Sequence, residues 1–80
     1  MGLLYSLAYV VEQIDERTFQ ARLCETDSIV KCYLSHKLFY HNIQPLVGDL
    51  VKLEYNSGLW NAKKRVQNIV DILYSKKKTR

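Results

Sequence analysis

The feature that most constrains this chain is a succession of five short segments in which apolar and polar residues alternate. Alternation with a period of two is typical of β-strands, because successive side chains of a strand point to opposite faces of a sheet. Short polar turns separate most of these segments, whereas a longer connector, residues 35–49, separates the third from the fourth. The predicted strands are residues 3–14, 18–23, 28–34, 48–55 and 65–73, the fourth opening on the Gly-Asp turn that ends the connector.

The number and spacing of these segments indicate a barrel. Five strands in about seventy residues, with a non-strand connector between the third and the fourth, are typical of the oligonucleotide-binding (OB) fold. We therefore expect an all-β protein with a five-stranded OB-fold barrel and a short helix or turn between strands three and four. Residues 1–74 are expected to form this single domain, and residues 75–80 a disordered basic tail.

The length and the charge of the chain limit the functions that it can have. A chain of 80 residues forms one domain whose core is too small to enclose a deep substrate cavity, so we expect a surface site. Twelve Lys and Arg residues against eight Asp and Glu residues give a net charge of +4. The basic residues concentrate at 63–65 and 76–80. Such clusters favour a polyanionic partner, nucleic acid before membrane.

The apolar N-terminus, residues 1–14, lacks the basic segment and the cleavage site of a signal peptide. It is also too short to span a bilayer. The two cysteines form no disulfide framework, which agrees with a reducing compartment. We expect a monomer in the cytoplasm, or alternatively in an organelle, that does not bind membranes.

The outer face of strands two and three, with the loops after strands one and four, is the usual binding surface of an OB barrel. The parity of the two strands places their apolar residues inside, so the alternating residues lie outside. Cations there meet phosphates, and aromatic rings stack on bases. The residues predicted to form this surface are Gln20, Arg22, Lys31 and Tyr33, framed by residues 16–17 and 60–65.

The connector has the signals of a short helix. Ser35 is a favourable N-cap, and the spacing of Leu38 and Ile43 suits two side chains that close one end of the barrel. Pro45 then ends the turn. The remaining side chains of the predicted helix are expected to be available to a partner: Lys37, Phe39, Tyr40 and His41.

A metal site is the competing interpretation of the connector, with His36 and His41 joined by Cys24 and Cys32. The two histidines are five residues apart and do not share a helix face as an i, i+4 pair does. Cys32 has the parity of a core residue, whereas Cys24 lies at a turn, so the four side chains are not expected to converge. We predict no metal, no cofactor and no disulfide.

Three segments resemble bacterial-type translation initiation factor 1: "VVEQIDERTFQARL", "IVKCYLSHKL" and "NIQPLVGDLVKLEY". They match that family's first hairpin, its third strand with the following exit, and the end of its connector with the fourth strand. The resemblance extends from about Ala8 to Val66. It implies an OB-fold protein without catalytic activity in the decoding site of the small ribosomal subunit. The implied partners are small-subunit ribosomal RNA, ribosomal proteins and other initiation factors.

The chain departs from the family where the family is most basic. The connector has Phe39, Tyr40, His41 and Gln44 in place of several Arg and Lys residues, and the third strand has Tyr33 in place of a His. The segment "WNAKKRV" lacks the family's glycine but keeps basic residues at 63–65. The residues predicted to contact RNA are therefore Arg22, Lys31, Tyr33, Lys37, Phe39, Tyr40, His41, Trp60, Lys63, Lys64 and Arg65.

Two other functions remain open. Residues 50–73 also resemble the end of a cold-shock domain, although the aromatic strand motifs of that family are absent from "TFQARL" and "SIVKCYL". A cold-shock-like protein binds single-stranded nucleic acid. The second alternative is a small-barrel protein-interaction module in which exposed aromatic residues are the anchors: Phe39, Tyr40 and Trp60. Steep salt dependence of binding distinguishes RNA from an aromatic protein contact.

Overall fold

The protein is a closed barrel of five strands in a computed structural model that describes residues 3–56 and 67–75. The strand order around the barrel is β1-β2-β3-β5-β4, and β4 pairs with β1 to close it. This confirms the predicted all-β, OB-like barrel with a short helix after the third strand. The elements are β1 (Leu3–Gln13), β2 (Thr18–Leu23), β3 (Ile29–Leu34), α1 (His36–Tyr40), β4 (Leu50–Asn56) and β5 (Gln67–Tyr74).

Strand β1 is long because two neighbours share it. Its residues from Leu3 to Tyr9 pair with β4, and those from Ala8 to Gln13 pair with β2. The β1–β2 register shifts between Val10 and Glu12, which leaves Val11 as an extra residue in β1. Such a bulge bends the strand and lets it pass from one side of a barrel to the other.

The β1–β2 turn follows from the sequence "DERT". Asp15 Oδ1 accepts hydrogen bonds from the backbone N–H groups of Arg17 (3.0 Å) and Thr18 (2.9 Å). An aspartate that binds the backbone two or three residues ahead is a common way to form a turn. These hydrogen bonds, first that from Arg17, lower the pKa of the Asp15 carboxyl, because they favour its charged form.

Strand β5 alternates less regularly than its sequence suggests. Its register against β4 shifts twice, between Lys52 and Leu53 and between Leu50 and Val51. As a result Ile69 is fully buried although Asp71, with the same parity, is exposed. The bulges thereby accommodate the polar residues of β5, which simple alternation would have placed inside.

The core lies between all five strands and is apolar. Its largest fully buried side chains are Phe19, Leu34, Leu53 and Ile69, which come from β2, β3, β4 and β5. Cys32 is also fully buried, and its thiol donates a weak hydrogen bond to the Phe19 carbonyl oxygen (3.6 Å). Burial raises the pKa of the Cys32 thiol to about 12, because a thiolate in this apolar setting would lose its hydration.

Helix α1 has a cap at each end. The Ser35 side chain accepts a hydrogen bond from the Leu38 N–H (3.3 Å), as predicted for this N-cap. At the other end Asn42 has a left-handed backbone (φ 57°) and the Ile43 N–H donates to the Leu38 carbonyl (2.9 Å). The backbone geometry is that of a Schellman motif, which stops the helix after five residues.

The early stop corrects one prediction about the connector. Leu38 is buried in the core as expected, but Ile43 is 43% exposed and does not close the barrel. Because the chain reverses at Asn42, Ile43 comes out of helical phase with Leu38. Pro45 is buried instead.

The end of the connector is fixed to β1 through the Gly-Asp turn. Gly48 adopts a positive φ (98°) that only glycine takes up without strain, and its N–H donates to the Val10 carbonyl (2.7 Å). Asp49 is buried, and its carboxylate accepts a hydrogen bond from the Leu46 N–H (2.8 Å). The predicted turn before the fourth strand is therefore present and starts β4 at the level of Val10.

Candidate nucleic-acid interface

The outer surface of β2 and β3 has the side chains that strand parity predicted. We define the β2–β3 face as Gln20, Arg22, Ile29, Lys31 and Tyr33. Arg22, Ile29 and Lys31 are exposed, Tyr33 is 37% exposed, and Gln20 is half-buried. The intervening residues point into the core, since Phe19, Ala21, Cys32 and Leu34 are buried.

The two cations of this face have no acidic residue directly opposite them. Arg22 pairs across the strands with Ile29, and Lys31 pairs with Gln20. Tyr33 likewise lies opposite the uncharged Thr18. Lys31 contributes a smaller part to the lowered pKa of Asp15, so it senses a carboxylate in the β1–β2 turn. The cations remain accessible to an anion from solvent.

Arg17 connects the β1–β2 turn to helix α1. Its Nη2 donates a hydrogen bond to the Leu34 carbonyl oxygen (3.1 Å), and its guanidinium carbon lies 4.8 Å from the centroid of the Phe39 ring. The Leu34 N–H also donates to the Arg17 carbonyl oxygen (2.7 Å). Arg17 therefore fixes the turn, the end of β3 and the helix together, next to Tyr33.

This contact corrects the prediction for Phe39. The ring was expected to be exposed for a partner, but it is half-buried, packed against the core and covered on one face by Arg17. The sequence pattern missed this because a helix of five residues has no apolar periodicity from which to orient the ring.

The remaining predicted helix residues are on the outside. Lys37 and His41 are exposed, and Tyr40 is 80% exposed. The rings of His36 and Tyr40, one helical turn apart, lie 6.4 Å from each other between centroids with an interplanar angle of 40°. The helix thus adds one cation and two neighbouring polar rings, tilted against each other, shortly after Tyr33 in the chain.

The other predicted contact residues, Trp60, Lys63, Lys64 and Arg65, lie outside the residues that the structure describes, as does the predicted tail beyond Ser75. Most of the basic residues of the chain also lie outside the described residues. Residues 3–56 and 67–75 hold all eight Asp and Glu residues but only five of the twelve Lys and Arg residues. The excess positive charge of the chain therefore comes from residues 63–65 and 76–80.

The four residues weighed as metal ligands do not form a ligand set. Cys24 is exposed and Cys32 is buried, and both are free thiols. Within residues 3–56 and 67–75, no three His, Cys, Asp or Glu residues come together in a way that could hold a metal ion. In the same part of the chain, no helix is long and apolar enough to cross a membrane.

The sequence interpretation missed a second exposed surface, on the outside of β1 and β4. We define the β1–β4 face as Tyr5, Leu7, Tyr9, Lys52 and Glu54. The three β1 side chains are each about half exposed, at 53%, 44% and 46%. Because β1 is apolar on both faces, its parity alone does not show which face is inside. The charged Lys52 and Glu54, which pair with Leu7 and Tyr5, are the signal that could have decided it.

The charges of the β1–β4 face are already engaged with neighbours. Lys52 Nζ lies 4.4 Å from the centroid of the Tyr5 ring, and Lys52 is opposite Asp71 in the strand register. A hydrogen bond between the Tyr5 hydroxyl and the Glu54 carboxylate raises the pKa of that phenol, since it favours the protonated form. This face is thus largely apolar, and its cation, Lys52, lies over the Tyr5 ring.

Neither a scan against protein-family models nor a comparison with curated protein sequences finds a match to this chain.

Proposed function

We propose that this protein binds RNA without catalysing a reaction, through the β2–β3 face, helix α1 and the basic residues at 63–65. The observation that carries the proposal is the β2–β3 face itself. It presents Arg22, Lys31 and Tyr33 together, and their cross-strand partners are uncharged. Accessible cations next to an exposed ring suit a phosphate backbone with unstacked bases.

The proposed partner is the RNA of the small ribosomal subunit near the decoding site, in the manner of initiation factor 1. Support for this choice comes from the sequence resemblance and from the OB-like barrel, whose strand order and helix position agree with it. Other initiation factors and ribosomal proteins are proposed neighbours on the subunit. The proposed location is the cytoplasm or an organelle with its own ribosomes.

Binding to purified ribosomal subunits tests this proposal. The protein is mixed separately with small subunits, large subunits and a bare single-stranded RNA, and the bound fraction is measured at low and physiological salt. Preference for small subunits is expected. Equal affinity for the bare RNA would instead favour the cold-shock-like function, and binding that is insensitive to salt would favour a protein partner.

A further inference from the structure

The first part of β1 has an edge with no neighbouring strand in the described residues. The β1–β2 register ends at Ala8 and Leu23, where β2 stops, whereas β1 continues back to Leu3. The Cys24 N–H donates to the Leu7 carbonyl (2.9 Å), so the backbone of Leu7 faces the β2 side. In an antiparallel strand every second residue faces the same neighbour. The backbone N–H and C=O of Tyr5 therefore point toward the position that β2 would occupy if it were longer.

A groove lies along this edge. It has a volume of about 290 Å³ and is lined by Tyr5, Ser6, Leu7, Leu23, Cys24 and Glu25. A second groove of about 270 Å³ shares Leu23 and Cys24 with it and is also lined by Tyr9, Arg22 and Asp27. Both are bordered by the half-exposed apolar side chains of the β1–β4 face. The position suits an added strand whose side chains alternate between the grooves and solvent.

The charges near the edge favour a basic partner. Glu25 and Asp27 are exposed carboxylates, one in each groove. Glu54 binds the Tyr5 hydroxyl at the same edge. The nearby cation Lys52 lies over the Tyr5 ring. Arg22, opposite Tyr9 in the register, lines the second groove with Asp27 and offsets its charge, whereas no cation among the described residues lines the first groove beside Glu25. A polyanion is thus disfavoured here, while lysines or arginines on an apolar strand would find complementary charge.

We propose that the free edge of β1 around Tyr5 binds an extended segment of a partner protein, with alternating apolar and basic residues, as an additional antiparallel strand of the barrel. The backbone of Tyr5 supplies the hydrogen bonds, the two grooves take the apolar side chains, and Glu25 and Asp27 attract the basic ones. This surface adjoins the β2–β3 face at Arg22, which lines the second groove, but the edge around Tyr5 is not part of that face, so the proposal does not depend on the proposed RNA binding.

The probe is a synthetic peptide of about eight residues, the length of an ordinary strand, that alternates Val and Lys. A peptide that alternates Val and Glu is its charge control. Binding to the full chain is followed by amide chemical shifts in NMR titrations up to about 1 mM peptide, the range of weak association. We expect the Val-Lys peptide to shift the amides of Tyr5, Leu7 and Cys24 and to bind at least about fivefold more tightly than the Val-Glu peptide.

Backbone pairing is tested by two substitutions at one position. Tyr5→Pro removes the edge N–H without removing a donor to β4, and proline is tolerated on the open side of an edge strand. Tyr5→Thr removes the ring but keeps the N–H. We expect Tyr5→Pro to weaken Val-Lys peptide binding by about tenfold or more and Tyr5→Thr to weaken it by less than about threefold.

A change in the peptide keeps the test valid if Tyr5→Pro does not fold. Two Val-Lys peptides are N-methylated, one at the Val residues and the other at the Lys residues. Only one set of backbone N–H groups faces β1 in an added strand. One of the two peptides should therefore lose binding and the other should keep it. Equal binding of both would show that no strand is added.

Several results would overturn the proposal. The first is the absence of any shift at these amides up to about 1 mM Val-Lys peptide. The others are equal affinity for the two peptides and shifts confined to another surface. Slow hydrogen exchange of the Tyr5 amide in the free protein would show that the edge is already paired within the chain. Shifts of the same amides caused by RNA would assign the grooves to nucleic acid, and shifts caused by protein concentration alone would assign them to a second copy.

Discussion

The β2–β3 face and the β1–β4 face are built on the same barrel and meet where Tyr9 pairs with Arg22. Each exposes tyrosine and cationic side chains, but the surroundings of the cations differ. Arg22 and Lys31 face uncharged partners across the strands, whereas Lys52 lies over the Tyr5 ring and opposite Asp71. Composition alone would make both faces candidates for RNA. Cross-strand pairing decides which cations are available to phosphates and which already interact with their own neighbours.

Both faces depend on one core, so the largest effect should come from a core residue behind them. Phe19→Ala removes a fully buried ring from β2 and is expected to cost about 3–5 kcal/mol of unfolding free energy. Ile29→Ala, on an exposed side chain of the β2–β3 face, should cost less than about 1 kcal/mol. Denaturant unfolding of the two variants measures the difference. Equal costs would contradict the placement of Phe19 in the core and of Ile29 on the outside.

The buried and the exposed cysteine are predicted to affect the pH dependence of stability differently. Cys32 lies behind the β2–β3 face with a pKa raised to about 12, above the ordinary thiol value of about 9. The stability that the protonated Cys32 thiol contributes is complete below about pH 9. It is lost as the pH rises from 9 towards 12, because in that range the thiol ionises in the unfolded state but not in the folded state. The loss is at most about 1.4 kcal/mol per pH unit in that window.

Unfolding of the Cys32→Ala variant across the same pH range is the measurement for this prediction. The variant should be less stable near neutral pH but should lack the part of the alkaline decline that is due to this thiol. The control is Cys24→Ser, which changes the exposed thiol at the β1 grooves and should retain the full decline. Identical slopes for Cys32→Ala and the unchanged protein would contradict the assignment.

The basic residues outside the described strands should contribute unequally to RNA affinity. Lys64 and Arg65 lie two or three residues before β5 begins, whereas the cations at 76–80 follow its last residue, Tyr74. A cation in the segment that connects β4 to β5 is joined to a strand on both sides, so it can both attract and orient RNA. We expect the double substitution Lys64→Ala and Arg65→Ala to cost about tenfold in affinity at physiological salt, more than deletion of residues 75–80.

Dissociation constants of these two variants at low and physiological salt provide the comparison. The deletion removes four cations and the double substitution removes two, so a ranking by charge alone would give the opposite order. A larger loss from the deletion at both salts would show that total charge, rather than the position of the cations in the chain, determines affinity.

A smaller effect is expected at Arg17, which connects the β1–β2 turn and the end of β3 to α1. Arg17→Ala removes the hydrogen bond to the Leu34 carbonyl and the cation above Phe39, which together should cost about 1 kcal/mol of stability. Arg17→Lys keeps the charge but not the planar group. If Arg17 acts by positioning the helix, both variants should loosen α1 in hydrogen exchange. The contrary result is that Arg17→Lys restores RNA affinity while α1 stays loosened. That result would indicate that the positive charge of residue 17 contacts a phosphate directly.

The barrel could be predicted from the sequence, whereas its outer surface could be predicted only in part. Alternation in β2 and β3 fixed both their position and their inward side, because each has one apolar and one polar face. In β1 both faces are apolar, so Tyr5 and Tyr9 could be placed outside only once pairing with β4 was known. The orientations of Ile43 and Phe39 depend on a helix of only five residues, which ends at Asn42. Hydrophobic periodicity does not reveal where so short a helix ends.

Two tyrosines, one on each face, provide the most direct test of the difference between the faces. Tyr33 on the β2–β3 face and Tyr9 on the β1–β4 face are 37% and 46% exposed, so neither substitution to Ala should disturb the core. The measurement is the affinity of each variant for small ribosomal subunits at physiological salt, with circular dichroism to confirm folding. We predict that Tyr33→Ala loses about 1–3 kcal/mol of binding free energy, as expected for one lost base stack, and that Tyr9→Ala binds within about twofold of the unchanged protein. Equal losses, or a larger loss for Tyr9→Ala, would contradict the assignment of RNA to the β2–β3 face.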